Sequence, residues 1–234
     1  MFDRIKKAFA RDATAPGPAS AAVAAAQQLA PISEWAGTQG FSFSGQGAGQ
    51  SFAIQGKVAD KPWRMEVGRS SRRYIQGEEL RARAELGINE DIAVMVINRP
   101  LKESLEKQAY SLYTDSLQTS ADPNLPEEMR WLAMYDEVGW ESMPRAFWGR
   151  YAVLTDQRDH ALAWLDPTLA QLMMEWPAPA PLAEVPFMVL LMRGKAYLRM
   201  EHRGSEMPTL QHAAQIFTSS CESAVGAFST DLPL

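Results

Sequence analysis

The stretch ELRARAELGINEDIAVMVI, residues 79–97, predicts two strands of different burial. From Leu80 to Leu86 apolar and charged residues alternate, which is typical of a strand with one buried and one solvated face. From Ile92 to Ile97 every position is apolar, and this favours a central strand that is buried on both faces. We therefore expect a sheet in this part of the chain, with a charge-balanced outer surface on the first strand.

Alternation with a period of two also occurs upstream of this stretch. Apolar residues share one face within Phe52–Val58 and again within Trp63–Val67, on either side of a turn predicted at Asp60-Lys61. These patterns predict an antiparallel meander. Downstream, Pro100 stands where the first residue of a helix tolerates proline, and the apolar spacing extends that helix to about Leu117.

The second half of the chain carries equally clear local patterns. Residues 147–154 alternate as a strand, Asp166-Pro167 is typical of a helix start, and residues 185–200 predict a hairpin about Arg193-Gly194-Lys195. The last helix has apolar residues at spacings of three and four. They are Leu210, Ala213, Ala214, Phe217, Cys221, Ala224, Val225 and Phe228.

The segment Thr119–Pro126 contains two prolines and favours a boundary. We expect residues 1–18 to be an amphipathic basic segment with a linker, residues 19–121 to be a helix plus an antiparallel meander, and residues 122–234 to be a helix-rich lobe. In that second lobe a smaller sheet is covered by helices, so the fold class is α+β. Both lobes contain a predicted hairpin followed by a long helix, which raises the hypothesis of a remote internal duplication.

Composition excludes several classes of protein. The chain has 234 residues, 46% of them hydrophobic and 22% charged, so it is neither a disulfide-stapled mini-protein nor a disordered chain. Its net charge of −5 argues against general nucleic-acid binding. The single Cys221 permits no intramolecular disulfide, and we expect a cytoplasmic location.

The first residues could form a short basic helix, with Phe2, Ile5 and Phe9 on one face. Docking on its own domain and contact with a membrane surface are both open to such a helix. The segment does not predict a secretory signal, because Pro16-Gly17-Pro18 interrupts it before any long apolar run. No stretch of the sequence predicts a transmembrane helix.

We find no motif that predicts catalysis, a metal site or a cofactor. The glycines of Gly45–Gly49 precede a strand rather than a helix, which favours a hairpin loop over a phosphate-binding loop. Asp156 and His160 lie four residues apart but have no third ligand nearby, and Cys221 lies on an apolar stripe, where a small buried residue is expected. The chain is therefore more simply explained as a non-enzyme, although an active site built from distant residues has no signature in one sequence.

The basic stretch from Lys57 to Arg83 carries eight basic residues against four acidic ones. Within it Arg69, Arg72 and Arg73 stand next to Tyr74, so their guanidinium groups could converge on a phosphate or carboxylate beside an aromatic ring. The alternative is a solvated connection whose arginines pair with acidic residues elsewhere. These four residues are the candidate ligand-binding site.

The run Gly77–Arg83, preceded by Pro62-Trp63-Arg64 and Tyr74-Ile75, resembles sequences of uncharacterised bacterial α+β proteins. The order strand, two helices, hairpin and long helix in the C-terminal half is similar to theirs. This resemblance implies no activity and no catalytic residues.

Two functions from different classes follow from these patterns. The first is a protein–protein interaction or assembly module, with a protein partner or a second copy of the chain; Trp131, Trp140 and Trp148 are candidates for its surface. The alternative is an anion or small-molecule binding module that uses the Arg69, Arg72 and Arg73 cluster. An assembly protein predicts a flat apolar patch, whereas a binding module predicts a concave site with convergent polar groups.

Overall fold

The computed structural model describes residues 18–45, 51–115, 127–178, 180–181, 183–202 and 207–229. The described residues form seven helices and nine strands, and the predicted α+β class is confirmed. Predictions for the basic segment at residues 2–9, for the linker that precedes Pro18 and for most of the Gly45–Gly49 loop lie outside the described residues.

The strands are β1 (Ser42–Gly45), β2 (Phe52–Val58), β3 (Lys61–Arg69), β4 (Glu78–Glu85), β5 (Val94–Asn98), β6 (Asp136–Val138), β7 (Tyr151–Thr155), β8 (Phe187–Met192) and β9 (Lys195–His202). They form one antiparallel sheet in the order β1-β2-β3-β4-β9-β8-β5-β7-β6. The predicted meander is therefore present in β1 to β4.

This single sheet corrects the expectation of a second, smaller sheet. Strands from both sides of residue 122 alternate within it, and the hairpin of β8 and β9 lies between β4 and β5. The two strands predicted at residues 79–97 are thus not a hairpin, and the two halves do not share a hairpin-helix unit. The reason is burial: β5, β7 and most of β8 are buried on both faces and lie side by side, whereas β3, β4 and β9 have one polar face each.

The helices are α1 (Pro18–Thr38), α2 (Arg99–Asp115), α3 (Glu127–Met134), α4 (Arg145–Arg150), α5 (Arg158–Trp164), α6 (Pro167–Met174) and α7 (Met207–Phe228). Five of them, α1 and α4 to α7, pack on one face of the sheet around the main core, which includes Trp63, Phe147, Trp164 and Phe217. The helices α2 and α3 pack on the other face around a second core. The sheet is therefore the middle layer of three.

The predicted apolar stripe of α7 is confirmed, because its residues from Leu210 to Ala224 that were expected to face the core are buried. Cys221 is fully buried within this stripe. Burial also raises the pKa of the Cys221 thiol. The residue therefore behaves as a small apolar side chain rather than as a nucleophile.

Several helix ends and turns lie where the local sequence predicts them. The side chain of Asp166 accepts a hydrogen bond of 2.8 Å from the backbone nitrogen of Leu169 and so caps α6. Arg193 and Gly194 both adopt positive φ angles, of 52° and 70°, in the turn between β8 and β9. Two predictions were wrong: the earlier turn is at Ala59-Asp60 instead of Asp60-Lys61, and residues 145–150 are helical.

The helix at residues 145–150 has a local cause. Pro144 precedes it directly with a φ of −57°, which suits the start of a helix. The strand that was expected from Phe147 therefore begins only at Tyr151.

The edges of the sheet are formed by short strands. At one edge β1 has four residues, and at the other β6 has three, two of which are Asp136 and Glu137. Short, charged edges disfavour the addition of a further strand. Among the described helices, none combines the length and the apolar character needed to cross a membrane.

Candidate functional site

The second face of the sheet is covered over only part of its width. There α2 and α3 pack on the apolar residues of β5, β7 and β8, which include Met95, Leu154 and Met188. Over β3 and β4 the described residues leave this face open, and Arg81 and Arg83 are exposed. An open polar surface thus adjoins a covered apolar one.

On this face of the sheet, the side chains are apolar on β8 and polar on β9. Met188 pairs with Arg199, and two positions along, Leu190 pairs with Tyr197. In the next strand, β4, Arg81 lies opposite Arg199 and Arg83 lies opposite Tyr197. Each row of residues therefore runs from an apolar side chain under α3 to arginines on the open part of the sheet.

Four arginines occupy neighbouring positions on the open face, and we call them the arginine array: Arg64, Arg81, Arg83 and Arg199. Arg64 lies opposite Arg83, and Arg81 lies opposite Arg199. Neighbouring strands are about 4.8 Å apart, and alternate residues of one strand about 7 Å apart. Because like charges directly opposite each other in a sheet are destabilising, this arrangement requires compensation by anions.

Two glutamates within the array provide part of that compensation. Glu66 accepts hydrogen bonds from Arg64 and from Arg81, the latter at 2.8 Å from Nη2. Glu85 pairs with Arg83 and with Lys195. Partial burial disfavours the charged form of Glu66, but the hydrogen bonds from its two arginines outweigh burial and lower its pKa. The Glu66 carboxylate therefore pairs with two guanidinium groups.

Arg199 has a buried counter-ion on the same face of the sheet. Its Nη1 lies 2.7 Å from Oε1 of Glu79, a residue that is only 1% exposed. The other oxygen, Oε2, accepts hydrogen bonds from the backbone nitrogen and the hydroxyl of Ser71, at 2.7 and 2.9 Å. Since the Arg199 side chain is only 20% exposed, its guanidinium group is held in place.

A fourth carboxylate, that of Glu128, joins the loop before β4 to α3. Glu128, near the start of α3, accepts hydrogen bonds at Oε1 from Arg72 Nε at 2.7 Å and from the Tyr74 hydroxyl at 3.1 Å. Burial opposes ionisation of Glu128, yet the Arg72 guanidinium keeps its pKa below the usual range. For Tyr74, burial and then the charge of Glu128 raise the pKa. This junction forms one rim of the open face.

The structure separates the four residues of the predicted ligand site. Arg72 and Tyr74 meet at Glu128, so Arg72 already has an anionic partner within the protein. Arg69, at the end of β3, and Arg73, in the following loop, are exposed. Arg72 lies at the edge of the arginine array and is the one member of the predicted set that lines the same cleft.

The arginine array and α3 enclose a cleft of about 710 Å³. Its apolar side includes Met95, Met188, Leu190, Met192 and Trp131, and Trp131 is contributed by α3. Tyr197 stands between the apolar side and the arginines, with the guanidinium carbon of Arg83 5.9 Å from its ring centre. Trp131, Met95 and Met188 are at most 4% exposed, so the apolar surface that the cleft offers next to its bidentate donors comes mainly from Tyr197 and Met192.

Sequence reasoning missed this site. Arg81 and Arg83 were interpreted as a solvated strand face, and Arg64 and Arg199 were not connected with them. The one available signal was the arginine alternation in β4. Because β9 lies far along the chain, no local pattern shows that Arg199 is beside Arg81.

Of the other candidate residues, Trp131 lines the cleft, and Trp140, Trp148 and His160 lie elsewhere. Trp140 and Trp148 contact each other edge to face at 5.1 Å next to the main core, whereas Trp131 belongs to the second core, so the three tryptophans do not form one surface. His160 packs against Phe228. Within the part of the chain that the structure describes, no three histidine, cysteine or acidic side chains are grouped as a metal site.

No protein-family model, curated protein or solved structure matches the chain.

Proposed function

We propose that the protein is a protein–protein interaction module without catalytic activity, and that it binds a segment of a partner polypeptide in the cleft between α3 and the arginine array. The observation that carries this proposal is the lining of the cleft. It combines six arginines with the partly exposed Tyr197 and Met192, beside the buried Trp131 of α3. Tryptophan, tyrosine and arginine are the residues that contribute most to binding energy at protein interfaces, and methionine is enriched there.

The form of the cleft supports a polypeptide as the occupant. Its lining residues extend from Gln55 on β2 to Met95 on β5, across six neighbouring strands. At about 4.8 Å for each strand, this is a groove of roughly 25 Å. A site of that width accommodates a helix or an extended segment lying across the sheet.

Other surfaces support association less well. Both edge strands are short, which disfavours assembly through strand addition. The large apolar side chains that are exposed among the described residues, Val23, Tyr110, Met134 and Leu162, belong to four different helices. A flat apolar patch, which was expected for an assembly protein, is thus less well supported than the cleft.

The alternative function, an anion-binding module built on Arg69, Arg72 and Arg73, has weaker support. Arg72 is already hydrogen-bonded to Glu128, and release of Arg72 would leave that buried carboxylate with the Tyr74 hydroxyl and the more distant Arg199. Arg69 and Arg73 are exposed, so their side chains lose conformational entropy on binding an anion.

The proposal is tested by selecting peptides that bind the protein. A display library of random peptides of about 12 residues, roughly 40 Å when extended, is selected on the immobilised protein, and the selected peptides are labelled for fluorescence anisotropy. The variant Tyr197→Ala removes an aromatic ring from the cleft, and Tyr110→Ala removes one from the exposed face of α2.

We expect selected peptides to bind Tyr197→Ala at least about tenfold more weakly, and to bind Tyr110→Ala with unchanged affinity. Circular dichroism checks that both variants are folded. Failure to select any peptide, or equal affinity for both variants, would contradict the proposed function.

A further inference from the structure

We propose that the partner segment is acidic on one side and apolar on the other, with its carboxylates bound by the arginine array and its apolar side chains placed against the partly exposed Tyr197 and Met192. This inference rests on the proposed function and specifies the chemistry of the partner.

The cleft has the opposite charge from the protein as a whole. Six arginines line it, with four glutamates, whereas the whole chain carries a net charge of −5. The net charge of the cleft remains positive when the buried Glu79, the ion-pair partner of Arg199, is included. A local positive field on an acidic protein attracts acidic ligands to this place and repels them elsewhere.

The arginines of the array have more N–H donors than their glutamate partners use. A guanidinium group has five N–H donors, and a carboxylate can accept two of them side by side. Among the described residues, Glu66 is the hydrogen-bonding partner of both Arg64, through Nε, and Arg81, through Nε and Nη2. The remaining N–H groups can bind a carboxylate without breaking these contacts.

The spacing of the array fits side chains on one face of a peptide. Arg81 and Arg83 are alternate residues of β4, about 7 Å apart. Acidic residues two apart in an extended segment, or four apart in a helix, present carboxylates at about 6 to 7 Å. A segment with such a pair can engage both arginines at once.

Apolar side chains are needed on the opposite side of the segment. The rows of the sheet lead from Arg83 through Tyr197 to Leu190, and from Arg81 through Arg199 to Met188. A bound segment that places carboxylates over β4 therefore has its other side over Tyr197 and Met192, which are partly exposed beside α3, and burial of that apolar surface is favourable.

Nucleic acid fits the same surface less well. Glu66, Glu85, Glu127 and Glu128 are interspersed with the arginines in the cleft. A continuous row of phosphates would come close to these carboxylates, whereas a peptide can place its few carboxylates away from them. We therefore favour an acidic peptide, and an oligonucleotide becomes a competitor in the test.

The experiment uses the peptides selected above and charge-neutral forms of them, in which Glu becomes Gln and Asp becomes Asn. Anisotropy is measured with the wild-type protein, with the variant Arg81→Gln/Arg83→Gln and with the control Arg69→Gln/Arg73→Gln. Both double variants remove two positive charges from exposed arginines, but only the first pair lines the cleft. A single variant, Arg83→Lys, retains the charge and loses the bidentate geometry.

We expect the selected peptides to be enriched in acidic residues. Neutralising those residues, or making Arg81→Gln/Arg83→Gln, should each weaken binding at least about tenfold at about 0.05 M salt, and the two changes together should weaken it little further. The loss of affinity should be smaller at about 0.5 M salt, because salt screens the interaction between charges. The control should bind within about twofold of wild type, and Arg83→Lys should be intermediate.

Three results would overturn this inference. If the selected peptides lack acidic enrichment but still bind Tyr197→Ala poorly, the proposed function holds and the acidic partner is wrong. If Arg69→Gln/Arg73→Gln weakens binding as much as the cleft variant, the attraction is not specific to the array. If inorganic phosphate or a single-stranded oligothymidine displaces the labelled peptides at lower concentration than the same acidic peptides without label do, the cleft is a site for phosphates rather than for acidic peptides.

Discussion

Glu79 and Glu201 lie directly opposite each other on β4 and β9, and both are buried, at 1% and 4% exposure. Their charges would repel each other, but each carboxylate holds a different end of the loop at residues 70–77. Glu79 accepts from the backbone and hydroxyl of Ser71, and Glu201 accepts from the backbone nitrogen of Gln76 at 2.9 Å. This acidic pair therefore positions the loop that carries Arg72 at the rim of the cleft.

The first prediction concerns Glu79. Replacing Glu79 with Ala removes the buried carboxylate that pairs with Arg199 and accepts hydrogen bonds from Ser71, so we expect the free energy of unfolding to fall by about 3 kcal/mol. Glu85→Ala removes an equivalent carboxylate from an ion pair whose side chains are about half exposed, and should cost at most about 0.5 kcal/mol. Urea denaturation measures both values, and similar losses for the two variants would contradict a special role for Glu79.

The second prediction concerns acid stability. The folded-state pKa of Glu128 is lowered from 4.5, so its contribution is present above that pH and is lost as the pH falls through the folded-state pKa. We expect Glu128→Gln to lower stability by about 2 kcal/mol near pH 7, because Arg72 loses its anionic acceptor. The difference from wild type should narrow as the pH falls below 4.5 and through the folded-state pKa, because Glu128 then becomes protonated in the folded state as well.

Urea denaturation at a series of pH values measures this difference. A difference that stays constant from about pH 7 to about pH 3 would show that the ionised form of Glu128 does not contribute to stability.

The third prediction concerns Gly56, on β2. A Cβ at this position would lie 2.8 Å from Phe41 and 2.9 Å from Trp63, two rings that already contact each other edge to face. We therefore expect Gly56→Ala to destabilise the protein by about 1 to 3 kcal/mol. Gly226→Ala in α7 is the matched control, because nothing lies within 4 Å of its Cβ position.

The control should be more stable than wild type by roughly 0.5 to 1 kcal/mol, because alanine favours helix. Thermal denaturation of the two variants shows whether each substitution raises or lowers the stability. Stabilisation by Gly56→Ala would contradict the close packing of β2 against the two aromatic rings.

The fourth prediction concerns Cys221. Because the thiol is buried and its pKa is raised by that burial, we expect reaction of the native protein with a thiol reagent to be slow and limited by unfolding. In denaturant the same thiol should react rapidly. Fast modification of the native protein would contradict the burial of this helix face.

The local organisation of the chain was predictable from its sequence. The apolar stripe of α7, the capping Asp166, the turn at Arg193-Gly194 and the alternation of β4 each depend on residues close together along the chain. Interactions of this kind are set by helix and strand periodicity and by backbone conformation. The α+β class followed from these patterns.

The order of the strands and the candidate site depended on tertiary structure. Whether β4 pairs with β5 or with β9 is decided by which arrangement buries the apolar faces of all the strands together, and no local pattern encodes that choice. The pairing of β4 with β9 brings Arg199 beside Arg81 and Glu79, residues more than a hundred positions apart in sequence. The sequence by itself determined the faces of the individual strands and helices, because periodicity is local. Only the tertiary structure decided which charged faces lie side by side, because strand pairing is a property of the whole sheet.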